Sequence, residues 1–270
     1  MKAAVIQMNS GADVAANLEQ ARGLLEQAAA AGAVLAALPE NCAFMGAKEH
    51  DKLAHAEPDG SGPIQQFFAD IAARLKLWVL AGTLPIAADA EHVFSASCLY
   101  TADGVRAERY DKIHLFDVDV PGASGERYRE SNSIAPGVLR TSVAETPLGK
   151  LGLSVCYDLR FPELYRAHVA EGAVLLSVPA AFTAKTGAAH WHTLLKARAV
   201  ENQCYVLAPG QCGTHPGGRS TYGHSLIVGP WGETLVEVQG DAPGFAIADI
   251  DLAHLASVRA SFPALTHRRL

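Results

Sequence analysis

A sulfur, a carboxylate and an ammonium each stand just beyond a short strand-like run in this chain of 270 residues. The sulfur is Cys156, in Leu151-Gly152-Leu153-Ser154-Val155-Cys156-Tyr157-Asp158-Leu159-Arg160-Phe161-Pro162-Glu163. The first half of that stretch has strand character, and Pro162-Glu163 is how a helix commonly opens. A nucleophile fits such a turn: the side chain is exposed, and the backbone N–H of Tyr157 is free to receive a developing oxyanion. A thiol at its reference pKa of about 8.5 is mostly protonated at neutral pH, so attack requires a base. Glu40, after Val34-Leu35-Ala36-Ala37-Leu38-Pro39, can be that base, and Lys112, after Tyr110-Asp111, can hold charge on an attacked carbonyl oxygen. Singly, each has an ordinary explanation: a packed cysteine, a capping or loop carboxylate, a solvated lysine. Together they describe thiol-based hydrolysis, provided the fold gathers the three strand ends on one rim.

The elements that must do this gathering are legible as apolar periodicity. An opening strand precedes a helix over 13–31 stopped by Gly32, and a strand over 34–38 ends at Glu40. An irregular connection over 42–60 leads to a helix begun by Pro63, then a strand over 78–83. Residues 93–100 and 105–110 read as a hairpin about Asp103-Gly104. The pattern then dissolves over 118–136, which reads as one long functional loop. A hairpin closing on the Cys156 strand, a helix over 162–171 and a strand over 173–178 follow, then a helix over 190–202 and a strand over 204–208. Strands over 225–228, 234–238 and 244–250, a helix over 252–259 and a tail complete the chain. No repeat, linker or low-complexity segment interrupts it, so a single domain over 1–270 is expected: an α/β fold of two sheets packed face to face with helices outside.

Bulk properties narrow the partners. With 49% hydrophobic and 19% charged residues, a net charge of −6 and a pI near 6.0, the chain has no basic footprint for nucleic acid or an anionic membrane, and small molecules are the better partner class. The longest uncharged apolar stretch, residues 28–38, is too short to span a membrane, and the amino-terminal apolar run is too short for a signal peptide. Five cysteines without close pairing then read as reduced thiols in a cytoplasmic protein. No cofactor is expected: Gly149-Lys150 is followed by Leu151 and lacks the earlier glycine of a phosphate loop. No metal is expected either, because His190, His192, His215 and His224 have no acidic or Cys partner at ligand spacing. Trp78, Trp191 and Trp231 read as core or turn anchors. A silent binding protein or a thiol redox module are the rivals from other classes; the intact trio opposes the first and the missing Cys-x-x-Cys the second.

Leu38-Pro39-Glu40, Tyr110-Asp111-Lys112-Ile113-His114-Leu115-Phe116-Asp117 and Cys156-Tyr157-Asp158-Leu159-Arg160-Phe161-Pro162-Glu163-Leu164 resemble, in order, the three signatures of the nitrilase superfamily of carbon–nitrogen hydrolases. The resemblance implies a four-layer αββα sandwich that commonly dimerises through sheet-covering helices and the tail. It implies a Glu40–Lys112–Cys156 triad, a second pocket glutamate at Glu130 in Arg129-Glu130-Ser131, and a thioester intermediate. The stretches at 197–206, 211–213, 222–225 and 267–269 are similar to the Nit group, more to its deaminated-glutathione amidases than to its ω-amidases acting on 2-oxoglutaramate; a true nitrilase is the nearest other enzyme. Arg160 could clamp a substrate carboxylate or pair internally with Glu163 or Asp158, and Phe182 and Thr186, in a loop after a strand end, resemble pocket residues of that group. Ser95 and Gly229 depart from the family pattern, where Asn and Asp are common; both lie outside the triad.

Overall fold

A computed structural model describes residues 1–120 and 127–269. The first half runs β1 (Lys2–Gln7), α1 (Val14–Ala30), β2 (Ala33–Ala37), α2 (Pro63–Leu75), β3 (Trp78–Ala87), β4 (Val93–Tyr100), β5 (Arg106–Asp111), β6 (Asp117–Asp119) and β7 (Arg127–Arg129). The second half runs β8 (Val143–Thr146), β9 (Gly149–Leu153), α3 (Pro162–Ala170), β10 (Leu175–Ser177), α4 (Ala184–Asn202), β11 (Tyr205–Ala208), β12 (Cys212–Thr214), β13 (Ser220–Tyr222), β14 (Leu226–Val228), β15 (Thr234–Glu237), β16 (Gly244–Asp249) and α5 (Leu252–Ser261). Two six-stranded sheets result, in the orders β16-β1-β2-β3-β4-β5 and β15-β14-β11-β10-β9-β8. Each is parallel at its centre, β1-β2-β3 in one and β9-β10-β11 in the other, with a helix crossing between each parallel pair.

Alternation along the central strands explains the layers. Ala3, Val5, Leu35, Ala37, Leu80 and Leu99 meet Leu151, Leu153, Leu175 and Val206 from the other sheet in one core. Their neighbours Ala4, Ile6, Ala36, Val79, Ala81 and Cys98 point the other way, onto Leu24, Leu25, Phe68 and Ile71 of α1 and α2. Both faces are covered, which is why these strands read as unbroken apolar runs. On the second sheet Tyr165 of α3 and Trp191, Leu195 and Ala199 of α4 complete the fourth layer. The helices start where local chemistry provides: the Asp13 side chain accepts the Ala16 N–H at 3.1 Å, and Pro63 and Pro162 occupy first turns.

Three sequence expectations need correcting or narrowing. The stretch over 118–136 is not one structureless loop: β6 and β7 pair within it, tied by Arg127 and Arg129 to Asp119 at 2.9 Å each, and residues 130–132 form a 3₁₀ turn. Its alternating charges hid a ribbon held by ion pairs; residues 121–126 lie outside the described residues. Helix α4 begins at Ala184 rather than 190, capped by Thr183. Gly187 weakens the apolar pattern there but is required, since a Cβ would come within 2.3 Å of the Tyr222 Cβ. Trp231, read as a core or turn anchor, lies in the turn between β14 and β15 and not in the core, exposed beside Phe262 at 5.7 Å between ring centroids. The strands β12 and β13 escaped notice because three residues carry no period.

Candidate active site

Glu40 lies beyond the end of β2, where the chain turns against β3. Gly82 makes that approach possible: a Cβ there would stand 1.8 Å from the Pro39 carbonyl oxygen. The turn is pinned by the Asn41 N–H donating to Thr83 Oγ1 at 2.8 Å and by Gln211 Nε2 donating to the Glu40 carbonyl at 3.0 Å. Lys112 follows β5, its N–H on the Ser95 carbonyl at 3.1 Å and its own carbonyl accepting the Gly137 N–H at 3.0 Å. Ser95 thus serves through its backbone, which is indifferent to the departure from Asn. Glu130 ends the β6–β7 ribbon and accepts the Phe116 N–H at 2.8 Å.

These side chains meet. Lys112 Nζ donates to Glu40 Oε1 at 2.8 Å and to Glu130 at 3.0 and 2.8 Å, and the lysine is wholly buried. Burial alone would drive its proton off, but the carboxylates of Glu130 and Glu40 override it and hold the ammonium well above the ordinary lysine range. Glu130 answers in kind: burial pushes its carboxyl up, and Lys112, Lys52 and the Phe116 N–H bring it below the usual value.

Cys156 opens a short 3₁₀ turn with φ +48°, a left-handed conformation costly for a side-chain-bearing residue. Buried Asp158 holds that turn: its carboxylate accepts the Val155 N–H at 2.8 Å, the Tyr110 hydroxyl at 2.7 Å and the His114 N–H at 3.2 Å, and contacts His114 Nδ1 at 2.7 Å. One carboxylate therefore ties the cysteine turn to both flanks of Lys112. The Tyr157 N–H finds no acceptor among the described residues. Burial and the charge of Glu40 raise the Cys156 thiol well above its ordinary pKa, against the opposing pull of Lys112. Base and sulfur are close to one residue: the Ala181 N–H donates to Glu40 Oε2 at 3.0 Å, and Ala181 lines the same cleft as Cys156.

Phe116, Glu130, Tyr157, Arg160, Phe182, Thr183, Thr186 and Arg219 line a narrow cleft over Cys156. Arg160 pairs with neither Glu163 nor Asp158; it contacts His190 Nδ1 at 3.2 Å and lies 5.3 Å from the Phe182 ring centroid. Among the described residues it has no carboxylate partner. Phe182 keeps its expected loop, whereas Thr186 belongs to the first turn of α4, its N–H on Thr183 Oγ1 at 3.3 Å. Sequence reasoning missed Arg219, which donates to the Ala181 carbonyl at 2.7 Å and so holds the residue whose N–H serves Glu40. Its neighbours Gly217 and Gly218 gave no signal.

The histidines also need a correction, because the fold supplies the acidic partner that spacing lacked. Glu237 Oε1 lies 3.1 Å from His192 Nε2 and 2.6 Å from His224 Nδ1, a two-imidazole, one-carboxylate set of a kind that binds metals, here hydrogen-bonded together. His215 is apart, between the Ser10 carbonyl and Thr221 Oγ1. At Gly229, a Cβ would meet Glu233 Oε1 at 2.1 Å, so Glu233 occupies the room a side chain would need.

The fold is a four-layer α/β sandwich that places a cysteine at a strained turn in one cleft with Glu130, one of two glutamates bridged by a buried lysine. The chain belongs to the carbon–nitrogen hydrolase family, whose sequence pattern it matches over residues 2–260, and with it to the nitrilase superfamily. It is 44% identical over 269 residues to the deaminated glutathione amidase of Synechocystis sp., covering 98% of this chain and 97% of that one. Among solved structures it is similar to the C. elegans NitFhit protein, with a TM-score of 0.92 and 37% identity over 99% of this chain, although it spans only 65% of that longer polypeptide. Saccharomyces cerevisiae Nit3, of branch 10 of the nitrilase superfamily, gives a TM-score of 0.87 at 29% identity, covering 100% of this chain and 97% of Nit3. As a family member the chain is an amidase-type hydrolase of carbon–nitrogen bonds.

Proposed function

We propose that this protein hydrolyses the amide bond of a small carboxylate-bearing amide, deaminated glutathione foremost, through a thioester on Cys156. The observation that carries the reading is the buried Lys112 ammonium, bound to Glu40 at 2.8 Å and to Glu130 at 3.0 and 2.8 Å, with Glu130 and Cys156 lining one cleft. Glu40 takes the thiol proton as the sulfur attacks the amide carbon, which suits a thiol too weakly acidic to ionise unaided. Lys112 and the Tyr157 N–H receive the oxyanion. Glu40 then gives the proton to the departing nitrogen, the carbon–nitrogen bond breaks, and water deprotonated by the same glutamate cleaves the thioester. Glu130 keeps Lys112 charged and aimed. Arg160, with Phe182 and Thr186, receives the keto-acid carboxylate at the cleft. Neither a metal nor a cofactor takes part in these steps.

The test is ammonia or amine release from deaminated glutathione, 2-oxoglutaramate and one nitrile. Preference for the first is the expected result. Preference for 2-oxoglutaramate or for the nitrile overturns the substrate assignment, and silence on all three overturns the enzyme reading.

The whole chain acts as one domain in this reading, and as a homodimer. Val200 of α4, Trp231 and Phe262 are exposed and apolar; Trp231 and Phe262 touch, and Val200 abuts Gly232, supporting a face for a second copy along α4 and the tail. Sedimentation of Trp231→Glu should show monomer if that face is used. Placement in the cytoplasm is supported by five unpaired thiols; no helix among the described residues is long and apolar enough to cross a membrane.

A further inference from the structure

The cleft over Cys156 is tight, with free space of about 10 Å³, roughly one water, but it does not end at its rim. Arg219 and the Thr183–Thr186 segment separate it from a roomier cavity of about 390 Å³. Among the described residues the wall of that cavity carries Lys48, Lys52, Arg127, Lys185 and Arg219 against a single carboxylate, Glu49. This is a concentration of positive charge on a chain whose net charge is −6. Part of it is spoken for: Lys52 pairs with Glu49 at 3.2 Å and Arg127 with Asp119 at 2.9 Å. Lys48 and Lys185 are in no ion pair among the described residues. Arg219 approaches Glu49 only to 3.9 Å, and its buried Nε–H has no acceptor among the described residues.

We propose that this cavity is the subsite for the leaving group, and that Lys48 and Lys185, with Arg219 at the passage, bind an anionic peptide end on the departing nitrogen. The inference rests on the amidase reading above and deepens it. In deaminated glutathione the nitrogen beyond the terminal amide carbonyl of the keto acid belongs to a dipeptide ending in a carboxylate. Two extended residues span about 7 Å, so that carboxylate lies outside the cleft but within reach of a neighbouring cavity. A cavity of this size suits a small-molecule fragment. A bare amide such as 2-oxoglutaramate releases only ammonia and leaves the cavity unused. The substrate class assigned is therefore an ω-amide of a keto acid whose nitrogen carries an anionic peptide. The cavity discriminates it from the unsubstituted amide.

The experiment compares wild type with Lys48→Gln/Lys185→Gln on deaminated glutathione, on its carboxy-terminal carboxamide and on 2-oxoglutaramate. The expected result is a drop of about tenfold in the ratio of kcat/KM for deaminated glutathione to that for 2-oxoglutaramate, carried by KM, as loss of solvent-exposed charge-assisted contacts allows. Blocking the carboxylate should cost wild type a similar factor and cost the variant little more. An unchanged ratio, or an equal fall on all three substrates, overturns the subsite while leaving the amidase reading intact. If wild type turns over 2-oxoglutaramate but not deaminated glutathione, the substrate reading falls and takes the subsite with it.

Discussion

Two buried ionisable groups, Lys112 beside Glu40 and Glu130, and His168 behind the strand that leads to Cys156, are handled in opposite ways. Lys112 is fully buried and fully charged, with three short contacts to two carboxylates. His168 of α3, equally buried behind Gly152 of β9, has no hydrogen-bond partner on either ring nitrogen among the described residues, and burial lowers its pKa to about 4. One site keeps its charge by pairing; the other stays folded by giving its charge up. On the proposed mechanism, the difference separates a charge that serves chemistry from a ring that fills volume.

The largest effect should come from the sulfur that the charged cluster serves. Cys156→Ala should lower turnover by about 10⁴-fold or more, as loss of a nucleophile does in related mechanisms, while thermal denaturation stays near that of wild type. Substantial turnover in this variant would leave the paired charges without a chemical purpose and the comparison without its first half.

Lys112→Met tests the pairing itself. Removing the cation strands Glu40 and Glu130 in the core, a loss of about 3–5 kcal/mol in chemical denaturation, together with activity. The pH dependence should change sign. In wild type the Glu130 pKa is depressed, so its contribution is present above the unfolded carboxylate pKa of about 4.3 and is lost as pH falls through the lower folded value. Without Lys112, burial dominates and raises that pKa, so the variant loses stability as pH rises past about 4.3 and recovers in acid. A variant whose stability at pH 7 matches wild type would show that the carboxylates never depended on the ammonium.

How much of this was legible in the sequence follows from the kind of signal each part leaves. Glu40 and Cys156 each follow a strand whose apolar run is plain, because both faces of the central strands are buried, whereas Lys112 follows the charged edge strand β5, legible through its hairpin turn at Asp103-Gly104. Glu130 rests on family resemblance alone, since its stretch alternates charges and shows no hydrophobic period. Asp158, which holds the cysteine turn, looked like a possible partner for Arg160; only the fold shows that Tyr110, Val155 and His114 claim it. Arg219 and Glu237 were invisible because their partners lie on other elements: Arg219 sits in the turn before β13 and reaches Ala181, and Glu237, at the end of a strand that was legible, reaches His192 and His224. Long-range polar contacts do not obey the local periodicities that betray helices and strands.

His168 gives the next largest effect and sharpens the contrast. Its folded pKa of about 4 lies below the unfolded value near 6.5, so the neutral ring is favoured in the fold. The stability it permits is complete above about pH 6.5 and is lost as pH falls from there toward 4, about 3 kcal/mol in all. His168→Leu should flatten denaturation midpoints across that window and leave the loss below about 4.3 in place, since that belongs to Glu130 and the other carboxylates held below their usual range. If the variant keeps the wild-type slope between 6.5 and 4, the ring is not the neutral group its surroundings imply.

The smallest effect concerns a third cation, neither buried in a pair nor neutralised. Arg160 sits half-buried at the cleft, held by aromatic faces and His190 and by no carboxylate. Where Lys112 has its anions built in, Arg160, in the function proposed above, takes its anion from the substrate. Its planar fork matches a carboxylate bidentately, and lysine cannot reproduce that geometry. Arg160→Lys should raise KM for a keto-acid amide about tenfold with kcat little changed, because the contact is made equally in ground and transition states. Equal KM values in the two proteins would remove Arg160 from substrate recognition and leave it a packing residue over Phe182.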